Sequence, residues 1–229
     1  SHDIARAARP ALAAIGAPAM KTVPQLLQLL AEVNPQSDPR GMQQRYLSFA
    51  LFDGGGMLNR SLEGVDREAL YQAVRAGLKN QDGRARGSIG SVYRHLSAEE
   101  IQPLLPAIYQ AIMEPAPSGE MFADSIRVEG LRLLAKHRIA EGISACVQYT
   151  RDQNPWASEH RTPELMEILL SYGTHAKSVI PELTKIGNYF EKDEMDFPKE
   201  LMLRKAKSVR ETIRAIEAST DSPELIHLK

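Results

Sequence analysis

Apolar residues recur at three- and four-residue steps along most of this 229-residue chain. The spacing is clear in three separate stretches, 26–33, 70–78 and 131–135, and it places the apolar side chains on one face of an α-helix. No run of about four to eight residues alternates cleanly between apolar and polar positions, as a half-buried strand would require. The pattern predicts an all-α protein.

Several of the expected helices open with the same short phrase, in which a proline follows an apolar residue. The prolines are Pro24, Pro106 and Pro181, and a related phrase at 143–146 lacks the proline. Proline suits the start of a helix because its missing N–H costs no hydrogen bond there and its fixed φ is already helical. Counted at positions 24, 106, 144 and 181, the phrases lie 82, 38 and 37 residues apart. We therefore expect a degenerate unit around 66–74 in the first interval.

A second feature accompanies the first helix of each expected pair: an acidic residue followed by an arginine. An acid near a helix N-terminus complements the helix dipole and can cap free N–H groups. The arginine can reach the acid of its own or of a neighbouring unit. The pattern predicts a ladder that aligns successive units, and the alternative is a set of unrelated surface charges. The ladder residues are Asp3 and Arg6, Asp82 and Arg86, Asp124 and Arg127, and Glu159 and Arg161.

Taken together, these features resemble the HEAT-repeat family, and within it the bacterial PBS-lyase-type branch. The resemblance extends from Asp3 to about Phe190. It implies a right-handed α-α superhelix of about five helix pairs with a C-terminal capping helix. An insertion at 53–64 and the missing proline of the fourth phrase depart from the pattern, and they leave the unit boundaries open.

We expect one continuous array over residues 1–218, because each unit of a solenoid packs on its neighbours. The expected units span 1–34, 40–80, 82–114, 121–152 and 158–190, followed by a capping helix at 199–218 and a tail at 219–229. The capping helix is predicted from a one-sided apolar pattern in a charged segment. Its apolar residues are Met202, Ala206, Val209, Ile213 and Ile216.

Charge and composition narrow the range of partners. The formal net charge is −1 and aromatic residues make up 6% of the chain, so no overall field would attract nucleic acid. No apolar stretch is long enough for a membrane span, and we expect a soluble monomer without a membrane partner. The chain starts at Ser1 without an initiator Met, so we expect a fragment of a larger protein from which any targeting segment has been removed. The compartment is left open.

Candidate chemistry is sparse. The glycines of 54–56 lack the Gly-Lys-Ser/Thr ending of a phosphate loop, and no two histidines stand at the helical spacing that converges on a metal. The acidic segment 191–196 lacks the glycine and terminal Glu of a calcium loop. Cys146 lies in an apolar run, which favours a buried structural thiol. The sequence predicts no catalytic, cofactor-binding or metal-binding residue.

The resemblance instead implies a non-catalytic protein-interaction or scaffolding module, with an unidentified protein or other domains of the same chain as partner. The candidate partner surface comprises Trp156 in an expected loop and the cations Lys207, Arg210 and Arg214 of the capping helix. Two alternatives stay open: a HEAT-like enzyme of the DNA glycosylase or lyase type, and a structural spacer. The near-neutral charge and the single tryptophan argue against a glycosylase.

Overall fold

The computed structural model describes residues 20–32, 34, 36–114, 124–153, 155–192 and 197–228. Within these residues the secondary structure is helical, apart from turns and an isolated parallel bridge between Ile139 and Ile226. The all-α prediction is confirmed. The chain divides into two compact units, Ser1–Ile126 and Arg127–Lys229.

In the first unit, short helices alternate with turns. They are α1 (Val23–Ala31), α2 (Met42–Phe52), α3 (Arg67–Leu78), α4 (Gly83–Ile89), α5 (Ala98–Ile101) and α6 (Leu105–Met113), with 3₁₀ turns at Gly90–His95 and Gln102–Leu104. Asp66 caps α3 by accepting the Ala69 N–H at 2.7 Å. Ser97 and Glu100 form a reciprocal capping box on α5.

Helices of the first unit pack on the next helix but one. α1 packs against α3 and α2 against α4, while α1 also contacts α2 and α3 also contacts α4. Each of these helices therefore contacts a neighbour in sequence and a helix two places along the chain. Their apolar faces form a core that includes Leu27, Leu30, Leu51, Phe52, Leu70, Val74 and Ile89, all buried.

The segment at 53–64, which the sequence marks as an insertion, contributes to this core. Leu58 and Leu62 are buried. The Asn59 amide donates to the Phe52 carbonyl at 3.1 Å, and this bond ties the segment to the end of α2. The insertion is therefore packed against the unit rather than looped into solvent.

The second unit contains longer helices, and the boundary between the units falls in the first turn of α7. The helices are α7 (Asp124–Lys136), α8 (Glu141–Asp152), α9 (Ser158–Leu170), α10 (Ile180–Glu191) and α11 (Lys199–Ala218), with a 3₁₀ turn at Gly173–Val179. α8 contacts both α9 and α10, and these two helices pack on α11. The five apolar residues predicted for the face of α11 are all buried.

The three helix-opening prolines lie where the sequence predicts. Pro24, Pro106 and Pro181 are each the second residue of their helix, in α1, α6 and α10. Their missing N–H groups fall in the first turn, where no intrahelical acceptor exists. α9 departs from this pattern because Pro163 lies inside it.

The residues that follow α11 return to the second unit. Residues 221–228, which we call the strap, contact the turn between α7 and α8 and the turn that follows α9. The Ile226 N–H donates to the Arg138 carbonyl at 2.8 Å, and the Ala140 N–H donates to the Ile226 carbonyl at 2.9 Å. The Thr174 N–H donates to the Asp221 carbonyl at 2.6 Å. Most of the segment expected to be a tail is therefore ordered.

Candidate functional site

The residues of the predicted ladder have varied surroundings. Asp3 and Arg6 lie outside the described residues, as does the side chain of Asp124. Asp82 caps α4 by accepting the N–H groups of Arg84 and Ala85 at 2.8 and 3.3 Å, and its other oxygen pairs with Arg45 of α2 at 2.9 Å. Asp82 thus bonds to an arginine of the preceding expected unit.

The arginines of the predicted ladder are largely withdrawn from solvent. Arg86 is 7% exposed and donates to the carbonyls of Asn80 and Glu114 at 2.5 and 2.8 Å. Arg127 is 5% exposed, and its guanidinium lies 4.8 Å from the centroid of the Tyr149 ring. Arg86 joins segments of the first compact unit, and Arg127 joins α7 to α8 in the second.

A regular set of arginine–acid pairs occurs at other positions. Each pair joins helices of consecutive expected units, and the sequence separations of 37, 33 and 32 residues are close to one repeat period. The N···O distances are 2.9, 2.6 and 3.0 Å. The pairs are Arg45–Asp82 and Arg67–Glu100 in the first unit and Arg132–Glu164 in the second. Each pair therefore links two segments of the same compact unit that are distant in sequence.

The most exposed large hydrophobic side chain of the described residues is Trp156, at 71%. It lies in the turn before α9, next to Ala157, whose φ of 59° is left-handed. The Trp156 ring packs edge-on against Phe197, with 5.6 Å between ring centroids. A tryptophan held in this way is presented to solvent in a fixed orientation.

The turn that carries Trp156 is braced by a polar network that is buried at Gln153 and Thr162 and exposed at the bond from Arg161 to Trp156. Arg161 donates from Nη2 to the Trp156 carbonyl at 2.8 Å and from Nε to the Gln153 side chain at 3.2 Å. Gln153, itself buried, donates to the Thr162 hydroxyl at 3.1 Å. Ser158 donates its hydroxyl to the Pro155 carbonyl at 2.5 Å. These bonds tie the turn to the first turns of α9 and to the end of α8.

A buried lysine acts on the same network. Lys205 of α11 is 3% exposed, and its ammonium lies 4.0 Å from the centroid of the Phe190 ring. Burial, and after it the charge of Arg161, lower the pKa of Lys205 to about 8, although the carboxylate of Glu159 opposes the change. The Glu159 side chain is itself only 15% exposed. Lys205 therefore interacts electrostatically with both Glu159 and Arg161.

The cations proposed for a partner surface on α11 have acidic or carbonyl neighbours. Arg210 donates to both carboxylate oxygens of Glu191 at 3.2 and 3.0 Å and also contacts the Asn188 amide oxygen. Lys207 lies 3.8 Å from Glu211, and Arg214 donates to the Arg210 carbonyl at 3.4 Å. The acid at the end of α10 therefore neutralises one of the candidate cations.

The other candidate sites are a buried thiol and a cleft lined by side chains of both charges. Cys146 is buried, burial raises the pKa of its thiol, and the thiol donates to the Leu165 carbonyl at 3.3 Å. An open cleft of about 400 Å³ between α7 and α9 carries Arg132, Lys136 and Arg138 opposite Glu164 and Glu167. Among the described residues there is no group of three His, Cys, Asp or Glu side chains that could hold a metal ion.

No protein-family model, no curated protein and no solved structure matches the chain. In the part of the chain that the structure describes, no helix is both long and apolar enough to cross a bilayer.

Sequence reasoning missed three features of the second unit: the buried position of Lys205, the contact of Phe197 with Trp156, and the strap. Lys205 is three residues after Met202 and four before Val209, a spacing that places it on the apolar face. Its position could therefore have been recognised. The other two features depend on contacts between distant segments, which carry no local pattern.

Proposed function

We propose that this protein is a non-catalytic protein-interaction or scaffolding module built as a HEAT-like right-handed α-solenoid. The alternate packing of helices in the first unit supports this architecture. The arginine–acid pairs at separations of 32 to 37 residues also support it, because each joins segments that lie about one expected repeat apart. Stacked pairs expose rows of helices whose surface residues are free to vary, so they suit protein binding.

The observation that carries the proposed function is the exposed, braced Trp156. Tryptophan is enriched at the centres of protein interfaces, where it buries a large area with little loss of conformational entropy. The polar network of Arg161 and Gln153 holds its turn in place. We infer that Trp156 is the anchor for a protein partner.

The two alternatives receive less support. A spacer has no use for a preorganised exposed aromatic residue. An enzyme of the glycosylase or lyase type would need a reactive group in contact with solvent, and the buried Lys205 faces a phenyl ring. A basic nucleic-acid groove would also need free cations, whereas Arg210 is bonded to Glu191.

Site-specific photo-crosslinking tests the proposal. His160 has 77% of its side chain exposed and follows the tryptophan turn, so we would place a photoreactive amino acid there. Lys185 on α10, 72% exposed, provides the matched control position. In an extract of the source cells, we expect a defined protein to crosslink at position 160 and not at 185. Trp156→Ala should abolish this crosslink and leave the thermal melt unchanged.

Tyr189→Ala is the matched aromatic control, because Tyr189 is 43% exposed and lies on α10. It should leave the crosslink at position 160 intact. Identical crosslinked products at both positions, or a product that persists in Trp156→Ala, would contradict the proposed anchor. The absence of any product would favour the spacer.

A further inference from the structure

The strap is held mainly through its backbone. Its Asp221 and Ile226 carbonyls accept N–H groups of the unit at 2.6 and 2.9 Å, and its Ile226 N–H donates to the unit at 2.8 Å. The His175 ring nitrogen Nε2 lies 2.8 Å from the Pro223 carbonyl. Contacts of this kind recognise an extended backbone and tolerate many different side chains.

The side chains of the strap are exposed or only partly buried. Ile226 is 49% exposed, and Pro223, Leu225 and Leu228 are only partly buried. Asp221, Ser222, Glu224 and His227 are also exposed. Segments with few buried apolar contacts open locally at a small fraction of the global unfolding free energy. The strap therefore has the character of a separable segment.

The surface under the strap is shaped by contacts that do not involve the strap. Arg138 has a left-handed φ of 58°, unusual for a residue with a side chain, and its guanidinium donates to the Ser171 carbonyl. The buried Tyr172 hydroxyl donates to the Ile139 carbonyl at 3.0 Å. Hydrogen bonds with Ser171 and Tyr172, which follow α9, thus hold the turn between α7 and α8 in its unusual conformation. The turn would keep its shape if the strap left.

Gly173 forms the second contact point. Its φ is 59°, and a Cβ at this position would overlap the Asp221 carbonyl. Only glycine allows both the left-handed turn and the close approach of another backbone. Both turns that receive the strap are therefore specialised for an incoming chain.

The carboxylate of Glu141 contacts the last two residues of the strap. One carboxylate oxygen accepts the Leu228 N–H at 3.2 Å, and the other lies 3.2 Å from the His227 ring nitrogen Nδ1. Burial alone would raise the pKa of Glu141, but hydrogen bonds from backbone N–H groups and from His227 outweigh it, so the pKa is lowered. The carboxylate is thus an anionic acceptor for the end of an extended segment.

We propose that the strap is a displaceable occupant of its site, and that the site binds an extended peptide segment of a partner protein. The strap site comprises the turn residues 138–141 and 173–175. The incoming segment would pair with the backbone of residues 138 and 140 in place of Ile226 and would set an N–H or a cationic side chain against Glu141. This proposal does not depend on the Trp156 turn.

Competition between the strap and a free peptide tests the proposal in the full chain. The probe is a labelled, C-terminally amidated peptide of residues 219–228. Ile226→Pro in the protein removes the N–H that bonds to Arg138 and leaves the strap site intact. We expect the peptide to bind this variant about tenfold more tightly than wild type, because the competing strap is weakened. Ile226→Ala, which keeps the N–H, should resemble wild type.

A probe peptide carrying the same Ile-to-Pro change should not bind either protein. Peptide affinity that is equal in wild type and in the Ile226→Pro variant would overturn the proposal. So would concentration-dependent dimers of wild type that the proline variant cannot form, since the occupant would then be the strap of a second copy.

Hydrogen exchange on the wild-type protein provides a test that needs no variant. We expect the Ile226 and Ala140 amides to exchange much faster than those of Val209 and Ile213, which lie in the buried face of α11. Ile226 exchange as slow as that of Val209 would show that the strap opens only with the whole unit. That result would also overturn the proposal.

Discussion

The ammonium group of Lys205 lies 4.0 Å from the centroid of the Phe190 ring, inside the second unit. The Met202 sulfur lies 3.9 Å from the same ammonium, so the ring and the thioether take the place of water that an exposed lysine would have. A cation over an aromatic ring regains part of the lost hydration energy. The rest is a destabilising cost that changes with pH.

Lys205→Met should stabilise the protein at neutral pH. The unfolded lysine has an ordinary pKa of 10.5, and the folded one has a pKa of about 8. The unfolded chain therefore binds the proton more tightly, and the wild-type protein gains stability as the pH rises from about 8 towards 10.5. We expect a stabilisation of at most about 3 kcal/mol near pH 7 that shrinks by about 1 kcal/mol near pH 9.

Urea denaturation of wild type and of Lys205→Met at the two pH values measures this difference in unfolding free energy. Groups that titrate in the same way in both proteins contribute equally and cancel. Lys207→Met, at a position with 74% of the side chain exposed, is the control and should change stability by less than about 0.5 kcal/mol. A difference between wild type and Lys205→Met that does not depend on pH would contradict the assignment of a depressed pKa.

The helices were predictable from sequence because their apolar faces and opening prolines are local patterns. The partner of Asp82 was not, since its bond to Arg45 spans 37 residues and depends on how α2 packs against α4. The contacts of the strap could not be predicted from the sequence, for a different reason. Its bonds are made by backbone groups, and a half-exposed Ile226 produces no hydrophobic periodicity.

Asp82 has two roles, and two substitutions separate them. Asp82→Ala removes both the cap of α4 and the pair with Arg45, whose side chains are 16% and 12% exposed. We expect a loss of about 2 to 3 kcal/mol. Asp82→Asn keeps an equally good cap and removes only the charge, so it should cost about 1 kcal/mol. Equal losses in the two variants, measured by chemical denaturation, would show that the cap contributes nothing.

Arg127→Ala should destabilise the protein by about 1 to 2 kcal/mol. The guanidinium is buried over the Tyr149 ring, so the substitution removes a cation–π contact and the packing of the aliphatic stem. Arg127→Met keeps the packing and should recover part of the loss. A thermal melt unchanged by Arg127→Ala would show that this residue does not hold α7 to α8.

Duplex DNA should not bind measurably at physiological salt. The net charge is −1, and on α11 the guanidinium of Arg210 is paired with Glu191 at 3.0 Å. Few phosphates could therefore be neutralised, and the release of counterions would contribute little. Fluorescence anisotropy with labelled single- and double-stranded oligonucleotides at about 0.15 M salt checks this. A submicromolar, salt-sensitive affinity would favour the glycosylase-type alternative.

Gly142 and Tyr172 should be coupled in a double-mutant cycle. A Cβ at Gly142 would overlap the Tyr172 hydroxyl, which is buried and bonded to the Ile139 carbonyl. We expect Gly142→Ala to cost about 1 to 3 kcal/mol by overpacking and Tyr172→Phe to cost about 1 kcal/mol by loss of the hydrogen bond. In the Tyr172→Phe background, the Gly142→Ala penalty should fall by at least about 1 kcal/mol, because the overlapping oxygen is gone.

Gly54→Ala is the control for this cycle, since a Cβ at Gly54 would meet nothing within 4 Å. It should leave stability within about 0.5 kcal/mol of wild type in both backgrounds. Strict additivity of Gly142→Ala and Tyr172→Phe would show that the Tyr172 hydroxyl does not limit the space at Gly142. The assignment of close packing to the turn between α7 and α8 would then be wrong. The preformed strap site depends on that packing.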